Sequence, residues 1–136
     1  MRLYYLIWVD CLVRLKSQPD NKNNWQVLGM IFMTVTMAVD LLFLITILER
    51  YVFAFNFYGF DIPVIPREIG DSISFIILFA GPPLLINYLL IFRNRRYEEL
   101  IKKYKYHGGR LFIIYMAIAL FFPVVALLVG MIYGKI

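Results

Sequence analysis

The chain has 136 residues, of which 62% are hydrophobic and 17% are charged, and its mean hydropathy is +0.73. Soluble domains carry about half apolar and a quarter charged residues, so this composition excludes an ordinary soluble protein. The net charge of +5 does not indicate nucleic acid, because the basic residues stand beside apolar runs, where they are typical of topology signals and headgroup contacts. The sequence predicts an all-α integral membrane protein that forms a single domain over 1–136.

The first predicted element is an amphipathic helix over 1–18, which is too short to span a bilayer. On a helical wheel, one face of it collects five apolar or aromatic side chains, namely Tyr4, Trp8, Cys11, Leu12 and Leu15. This pattern is typical of a helix that lies in the membrane interface with its rings at headgroup depth, and Asp10 and Arg14 occupy another face. Because Cys11 is the only cysteine, an intramolecular disulfide and a cysteine metal cluster are excluded.

Three apolar runs follow, at 25–48, 71–92 and 111–133. Each is long enough to cross roughly 30 Å of hydrocarbon at about 1.5 Å per residue, so each predicts a transmembrane helix. Between the first two, the segment 51–68 is rich in aromatic residues and contains two prolines that block a continuing helix. We expect this segment to form an aromatic loop at the outer interface.

The second span runs on into a basic stretch at 93–109. Acidic and basic residues stand four apart in it, as in Glu98 and Lys102, which supports a helix. We therefore expect the second helix to extend into the cytoplasm until Gly108 and its neighbouring glycine end it. The stretch is either a solvated face that contacts anionic headgroups or a docking surface for a cytoplasmic partner. Its candidate contact residues are Arg93, Arg95, Arg96, Lys102, Lys103 and Lys105.

The positions of Lys and Arg orient the chain in the membrane. With three crossings, one side collects eleven of these residues and the other side three. The positive-inside rule then places the N-terminus and 93–109 in the cytoplasm and the C-terminus outside. An alternative is a re-entrant second segment bent at Pro82 and Pro83. That arrangement would place the basic stretch on the same side as 51–68 and remove the asymmetry.

The run MAVDLLFL at 37–44 places one carboxylate, Asp40, inside the first span. An ionised carboxylate at this depth is costly and needs a partner. Pro82 and Pro83 remove two helical donors and free two carbonyls of the second span at a similar depth, and Ser74 lies one turn higher. We expect Asp40 to be mostly protonated at neutral pH, because burial disfavours its charged form, and to link the first two spans. Alternatively, it binds a proton or cation, or joins a ring of carboxylates around an oligomer axis. The candidate intramembrane site is Asp40, Ser74, Thr36, Pro82 and Pro83.

Small residues mark two candidate packing faces. One is on the first span, and the other follows steps of three and four residues along the third span, a pattern that lets helix backbones approach closely. These faces either pack within the chain or form a subunit interface, and we favour a homo-oligomer or a larger complex. The candidate packing residues are Gly29, Ala119, Ala126, Gly130 and Gly134.

The stretches YYLIWVDCLVRLKSQPDNKNNW, which leads into the first span, and PPLLINYLLIFRNRRYEELIKKY, at the second, cover much of the chain. In these stretches the chain resembles a group of small polytopic proteins of the bacterial inner membrane. The resemblance implies that membrane as the location and brings no activity with it.

Function is predicted only in outline. The sequence shows no HExxH, phosphate loop or GxSxG motif, so we expect no catalytic residue, metal or cofactor. The leading hypothesis is a non-enzymatic subunit that self-associates or supports a larger membrane complex, in contact with anionic headgroups. The alternative is a homo-oligomeric ion or proton channel, or a membrane effector, that uses Asp40. A lipid-modifying enzyme is the second alternative.

Overall fold

The computed structural model describes residues 1–51 and 67–132. For residues 49–51 and 67–69 it describes the backbone alone. Within these ranges the chain is helical and contains no strand, which confirms the all-α prediction. The predicted aromatic loop, 51–68, lies almost wholly outside the described residues, and so does Gly134. The α-helices are α1 (Arg2–Ser17), α2 (Trp25–Tyr51), α3 (Arg67–Asn87), α4 (Arg96–Lys103) and α5 (Arg110–Ile132).

Three stretches of helix are long and apolar enough to cross a membrane, as predicted. They cover Trp25–Leu48, Gly70–Lys103 and Arg110–Ile132, and the apolar 18-residue windows within them have mean hydropathies of 2.4, 2.2 and 2.8. Little of each stretch is covered by the rest of the chain, as expected for helices surrounded by lipid. The chain is therefore a multi-pass membrane protein by the length and composition of its helices.

The second span does not reverse at its two prolines. Pro82 and Pro83 lie inside α3, and the helix continues through a π-helical turn over Tyr88–Phe92. A re-entrant segment bent at the prolines is therefore not the arrangement that the structure shows. The helix breaks later, at Asn94 and Arg95, which both adopt left-handed backbone conformations with φ of 58° and 56°.

This break bends the chain within the predicted extension of the second helix, and the helical structure after it ends before the glycines. After it, α4 is a separate short helix that ends at Lys103 and packs against α1. Left-handed conformations cost non-glycine residues free energy, so the surrounding packing has to hold them in place. Gly108 and Gly109 then turn the chain into α5 with φ of 72° and 75°, which glycine adopts without strain.

Helix α2 is central to the bundle. Helices α3 and α5 each pack on it, and within the described residues they make few contacts with each other. Helix α1 packs on both α2 and α5, and it also contacts the end of α3 through the hydrogen bond between Tyr4 and Asn87. We call the end of the bundle at which α2 and α5 begin the base. The helix α1 fills the space between α3 and α5 at the base.

Helix α1 is inclined along the bundle and does not lie across its end. At its C-terminal end, the ammonium of Lys16 lies 5.5 Å from the centre of the Trp25 ring. At its N-terminal end, Tyr4 binds Asn87, which in turn binds Thr34. Since Thr34 follows Trp25 by nine residues, these two levels are about 13 Å apart along α2.

The apolar face of α1 is buried against protein. Trp8 is fully buried, and its ring packs edge-on against Phe92 with centroids 5.5 Å apart. The helix has the predicted extent, and the indole of Trp8 lies inside the base; its depth relative to the headgroups stays a prediction. The basic residues of α1 lie towards its two ends, and its middle turns carry the apolar side chains that pack in the core. The buried residues of α1 are Trp8, Val9, Asp10, Cys11, Leu12 and Leu15.

Candidate functional site

Asp40 is paired with a residue of the third span. The hydroxyl of Tyr115 on α5 donates a hydrogen bond of 2.7 Å to Oδ2 of Asp40. The predicted partners were on the second span, among the carbonyls freed by the prolines and Ser74. Tyr115 stood in an apolar run without any signal that its hydroxyl would face α2. Asp40 itself is only half-buried by the chain.

The other predicted members of this site belong to α2 and α3. The hydroxyl of Thr36 is buried and donates to the carbonyl of Phe32, one turn earlier in α2, at 2.7 Å. Ser74 is buried in α3. Of the two prolines, Pro83 is buried and Pro82 is exposed. Thr36 therefore satisfies its hydrogen bond within its own helix.

A second polar centre surrounds Asn87, which is fully buried. Its Oδ1 accepts hydrogen bonds from the hydroxyl of Tyr4 at 2.7 Å and from the indole N–H of Trp8 at 3.3 Å. Its Nδ2 donates to the hydroxyl of Thr34 at 3.3 Å. The amide thus joins α1, α2 and α3 at one point. Removing one partner leaves a buried polar atom unpaired, which is why such a network specifies one arrangement of the helices.

The two polar centres are neighbours. Tyr4 is on α1 and Tyr115 is on α5, two helices that pack on each other, and both rings contact the core of the base. Burial raises the pKa of Tyr4 to about 12, so its hydroxyl stays protonated at neutral pH and can donate to Asn87. We call the set the polar track; it runs through Asp40, Tyr115, Tyr4, Asn87 and Thr34.

Sequence reasoning could have found part of this track. Asn87 is a polar residue in an apolar run, and such residues normally face protein. The structure pairs it with Tyr4, Trp8 and Thr34. Its link to Tyr4 and Trp8 was not predictable, because it depends on the inclination of α1 into the bundle.

Asp10 is a structural residue that sequence reasoning missed. It is fully buried, and its two carboxylate oxygens accept hydrogen bonds from the backbone N–H groups of His107 at 2.6 Å and Leu111 at 2.9 Å. It therefore caps the N-terminus of α5 from another helix. A signal did exist, because the residues that precede α5, HGG, contain no Ser, Thr, Asp or Asn to cap it locally.

The described small residues face the chain's own helices. A Cβ built on Gly29 would lie 2.9 Å from Cδ2 of Leu12, so this glycine lets α1 approach α2 closely. Ala119 is buried, and Ala126 and Gly130 are half-buried on the same side of α5. The seam thus packs within the chain near the base and is less covered towards the other end.

The predicted basic contact residues are all exposed. Arg95 lies 3.8 Å from Glu98 in an exposed ion pair, and the ammonium of Lys103 lies 5.9 Å from the ring centre of Tyr104. A groove of about 360 Å³ opens at the break between the π-helical turn and α4. It is lined by Leu89, Arg93, Asn94, Arg96 and Glu99.

The chemistry that these residues offer is hydrogen bonding, proton holding and charge. Across residues 1–51 and 67–132, no three of His, Cys, Asp and Glu come together as a metal site would require. No family model, curated protein or solved structure matches the chain. Function must therefore be argued from the geometry alone.

Proposed function

We propose that the protein is a non-enzymatic subunit of a membrane assembly, either with further copies of itself or on a larger membrane protein. The observation that carries the proposal is the half-burial of Asp40. Its own chain supplies a hydrogen bond from Tyr115 and covers the residue only in part. A second chain would complete the cover.

Asp40 lies so deep in the membrane that shielding it from lipid lowers the free energy. It lies fifteen residues beyond Trp25 in α2, or about 22 Å along the helix, well inside the apolar stretch. A carboxyl group that faces lipid at such a depth costs about 2.5–3.5 kcal/mol on insertion scales, whereas a neighbouring helix removes the contact with lipid. An association that covers Asp40 is therefore favoured by the membrane itself.

The arrangement of the helices offers a place for that neighbour. Helices α3 and α5 stand on either side of α2, and α1 fills the space between them at the base. Farther from the base along α5, Pro123, Ala126 and Gly130 are only half-buried by the chain. Small side chains allow a transmembrane helix to approach closely. We propose this region, with Asp40 on α2, as the contact surface.

We further propose that the base faces the cytoplasm of a bacterium, with the C-terminus on the outer side of the inner membrane. The positive-inside rule supports this orientation. The basic regions lie at one end of the bundle, because α4 packs on α1 and the backbone N–H of His107 donates a hydrogen bond to the carboxylate of Asp10. The location follows from the resemblance alone. A reporter enzyme fused after residue 136 that is active outside the membrane would support the orientation, and activity in the cytoplasm would contradict it.

Disulfide cross-linking tests the proposed contact surface. Cys11 is replaced by alanine, and a cysteine is placed at Ala126, which faces the bundle, or at Leu128, which is 55% exposed on another side of α5. We expect Ala126→Cys to give a cross-linked product in native membranes, with itself or with another protein, and Leu128→Cys to give less. The reverse order, or no product from Ala126→Cys in a well-expressed chain, would contradict the proposal.

A second candidate function is proton or cation conduction by an oligomer. The polar track favours it, since it gathers a carboxyl group, two phenols and an amide from four packed helices. Purified protein in liposomes would be assayed for dissipation of a pH gradient and of a potassium gradient. Flux that Asp40→Asn abolishes would support conduction. The leading proposal expects no flux from either form.

A further inference from the structure

We propose that the groove at the break of the second span binds the phosphodiester of an anionic phospholipid. The groove has a volume of about 360 Å³ and is lined by Leu89, Arg93, Asn94, Arg96 and Glu99. This inference does not depend on the proposed function, because it concerns a different surface of the chain.

The backbone break creates the site. Arg93 precedes the two left-handed residues and Arg96 follows them. In a continuous helix, residues three apart would point the same way along one face. The left-handed pair Asn94–Arg95 redirects the chain, so the two arginines line a groove instead of a convex helix surface. Guanidinium groups bind phosphate oxygens with directed, charge-assisted hydrogen bonds.

The groove combines an apolar end with a charged end. Leu89 belongs to the π-helical turn that closes the apolar run, and its side chain is 39% exposed. Arg93 follows one turn later and is also exposed. The arginines lie close to the level at which α2 begins, because Tyr97 of α4 packs on Trp25 with centroids 5.6 Å apart. This arrangement matches a phospholipid, whose acyl chain would lie beside Leu89 and whose phosphate would lie beside the arginines.

The charge of the groove favours a phosphodiester. Two arginines and Glu99 give the lining a net charge of +1, which complements the single negative charge of a phosphodiester. Glu99 adds an acceptor for a headgroup hydroxyl. Arg95 is an internal comparison, because its guanidinium lies beside Glu98 and it is not among the lining residues.

Lipid retention in native mass spectrometry tests the site. The detergent-solubilised protein is titrated with phosphatidylglycerol, with phosphatidylcholine, or with inorganic phosphate. Arg93→Gln/Arg96→Gln is compared with Arg95→Gln/Lys102→Gln, which removes the same charge from neighbouring exposed positions outside the groove. We expect the first double variant to lose at least about tenfold in phosphatidylglycerol affinity, since the loss of one hydrogen bond between charged groups already lowers affinity by about tenfold. The control pair is expected to bind like the unmodified chain.

Three results would overturn the proposal. The first is equal loss in both double variants, which would mean diffuse charge attraction. The second is equal retention of phosphatidylcholine and phosphatidylglycerol. The third is displacement of the lipid by an equal concentration of inorganic phosphate, which would assign the groove to a free anion. Retained phosphatidylglycerol in the presence of phosphate supports the lipid site, because the acyl chains add apolar contact.

Discussion

The carboxylate of Asp10 accepts a hydrogen bond of 2.9 Å from the backbone N–H of Leu111, which joins the middle of α1 to the first turn of α5. The same carboxylate accepts the N–H of His107 and so also fixes the chain between α4 and α5. An acidic side chain at a helix N-terminus satisfies donors that have no partner within the helix and complements its dipole. Helix α1 is therefore part of the packed base.

Removing the Asp10 cap is expected to destabilise the fold. Asp10→Ala leaves two part-buried backbone donors at the α5 terminus without their acceptor, and we expect a loss of about 1–3 kcal/mol in the free energy of unfolding. Asp10→Asn, which keeps one acceptor oxygen, should lose less. The measurement is unfolding in mixed detergent micelles, with Asp20→Asn as the control because Asp20 is exposed in the turn after α1. Equal stability of Asp10→Ala and the control would refute the capping role.

The pair of Asp40 and Tyr115 is expected to behave as a coupled unit. Tyr115→Phe removes the hydroxyl that donates to Asp40, and we expect a loss of about 1–3 kcal/mol because the carboxyl group then lacks this partner. Asp40→Asn retains an acceptor oxygen and should lose less and keep the assembly intact. In the double variant Asp40→Leu/Tyr115→Phe, the cost of Tyr115→Phe should largely vanish. Fully additive effects in this double-mutant cycle would show that the two side chains do not interact in the membrane.

Gly29 is expected to be required for the close packing of α1 on α2. A side chain at this position meets Leu12, whereas a Cβ at Gly81 meets nothing within 4 Å. Gly29→Val should therefore displace α1, and Gly81→Val should not, although both changes place valine in a helix. The readout is maleimide labelling of Cys11, which is fully buried. We expect slow labelling in the unmodified chain and in Gly81→Val, and fast labelling in Gly29→Val. Similar rates in the two variants would refute the close contact between α1 and α2.

Stability is expected to fall at alkaline pH. Burial, and to a smaller degree the neighbouring Asp10 carboxylate, raises the pKa of Cys11 from 9.0 to about 12. Burial likewise raises the pKa of Tyr4 from 10.0 to about 12. At a pH between the ordinary pKa of each group and its raised pKa of about 12, the unfolded chain has lost the proton that the folded chain keeps. The free energy of unfolding therefore decreases as the pH rises through this range. Below about pH 9, neither group makes stability depend on pH.

Unfolding titrations at a series of pH values would check this dependence. Cys11→Ala should reduce the decline above about pH 9, because one of the two groups is then absent. Tyr4→Phe provides the second comparison, although it also removes the hydrogen bond to Asn87. If Cys11→Ala leaves the decline in the free energy of unfolding unchanged, burial at this end of the bundle does not raise the pKa of the thiol.

The spans were predictable because their signal is local. A run such as 111–133 has to be helical in hydrocarbon, where each backbone polar group needs an internal partner, and length and hydropathy are enough to identify it. The end of the second helix was less predictable. The break at Asn94 and Arg95 adopts a conformation that glycine favours, but the sequence places no glycine there. Packing of Tyr97 against Trp25 is a tertiary contact that no local pattern contains.

The candidate site was only partly predictable for the same reason. The carboxylate of Asp40 is visible in the sequence, since it interrupts an apolar run. Its partner Tyr115 is not, because the choice between α3 and α5 depends on how the helices pack around α2. Asp10 was read as part of a polar face of α1, although the fold uses its charge as a buried cap.

The most direct test of the proposed function is native mass spectrometry of the protein extracted gently from its own membranes. The chain has a mass of 16.1 kDa. We expect species that contain further copies of the chain or an additional protein. We also expect Asp40→Arg to lose them, because a charged and bulky side chain cannot be covered by the same neighbour. A single chain with bound lipid as the only species, in a sample whose Asp40→Arg variant behaves identically, would contradict the assembly.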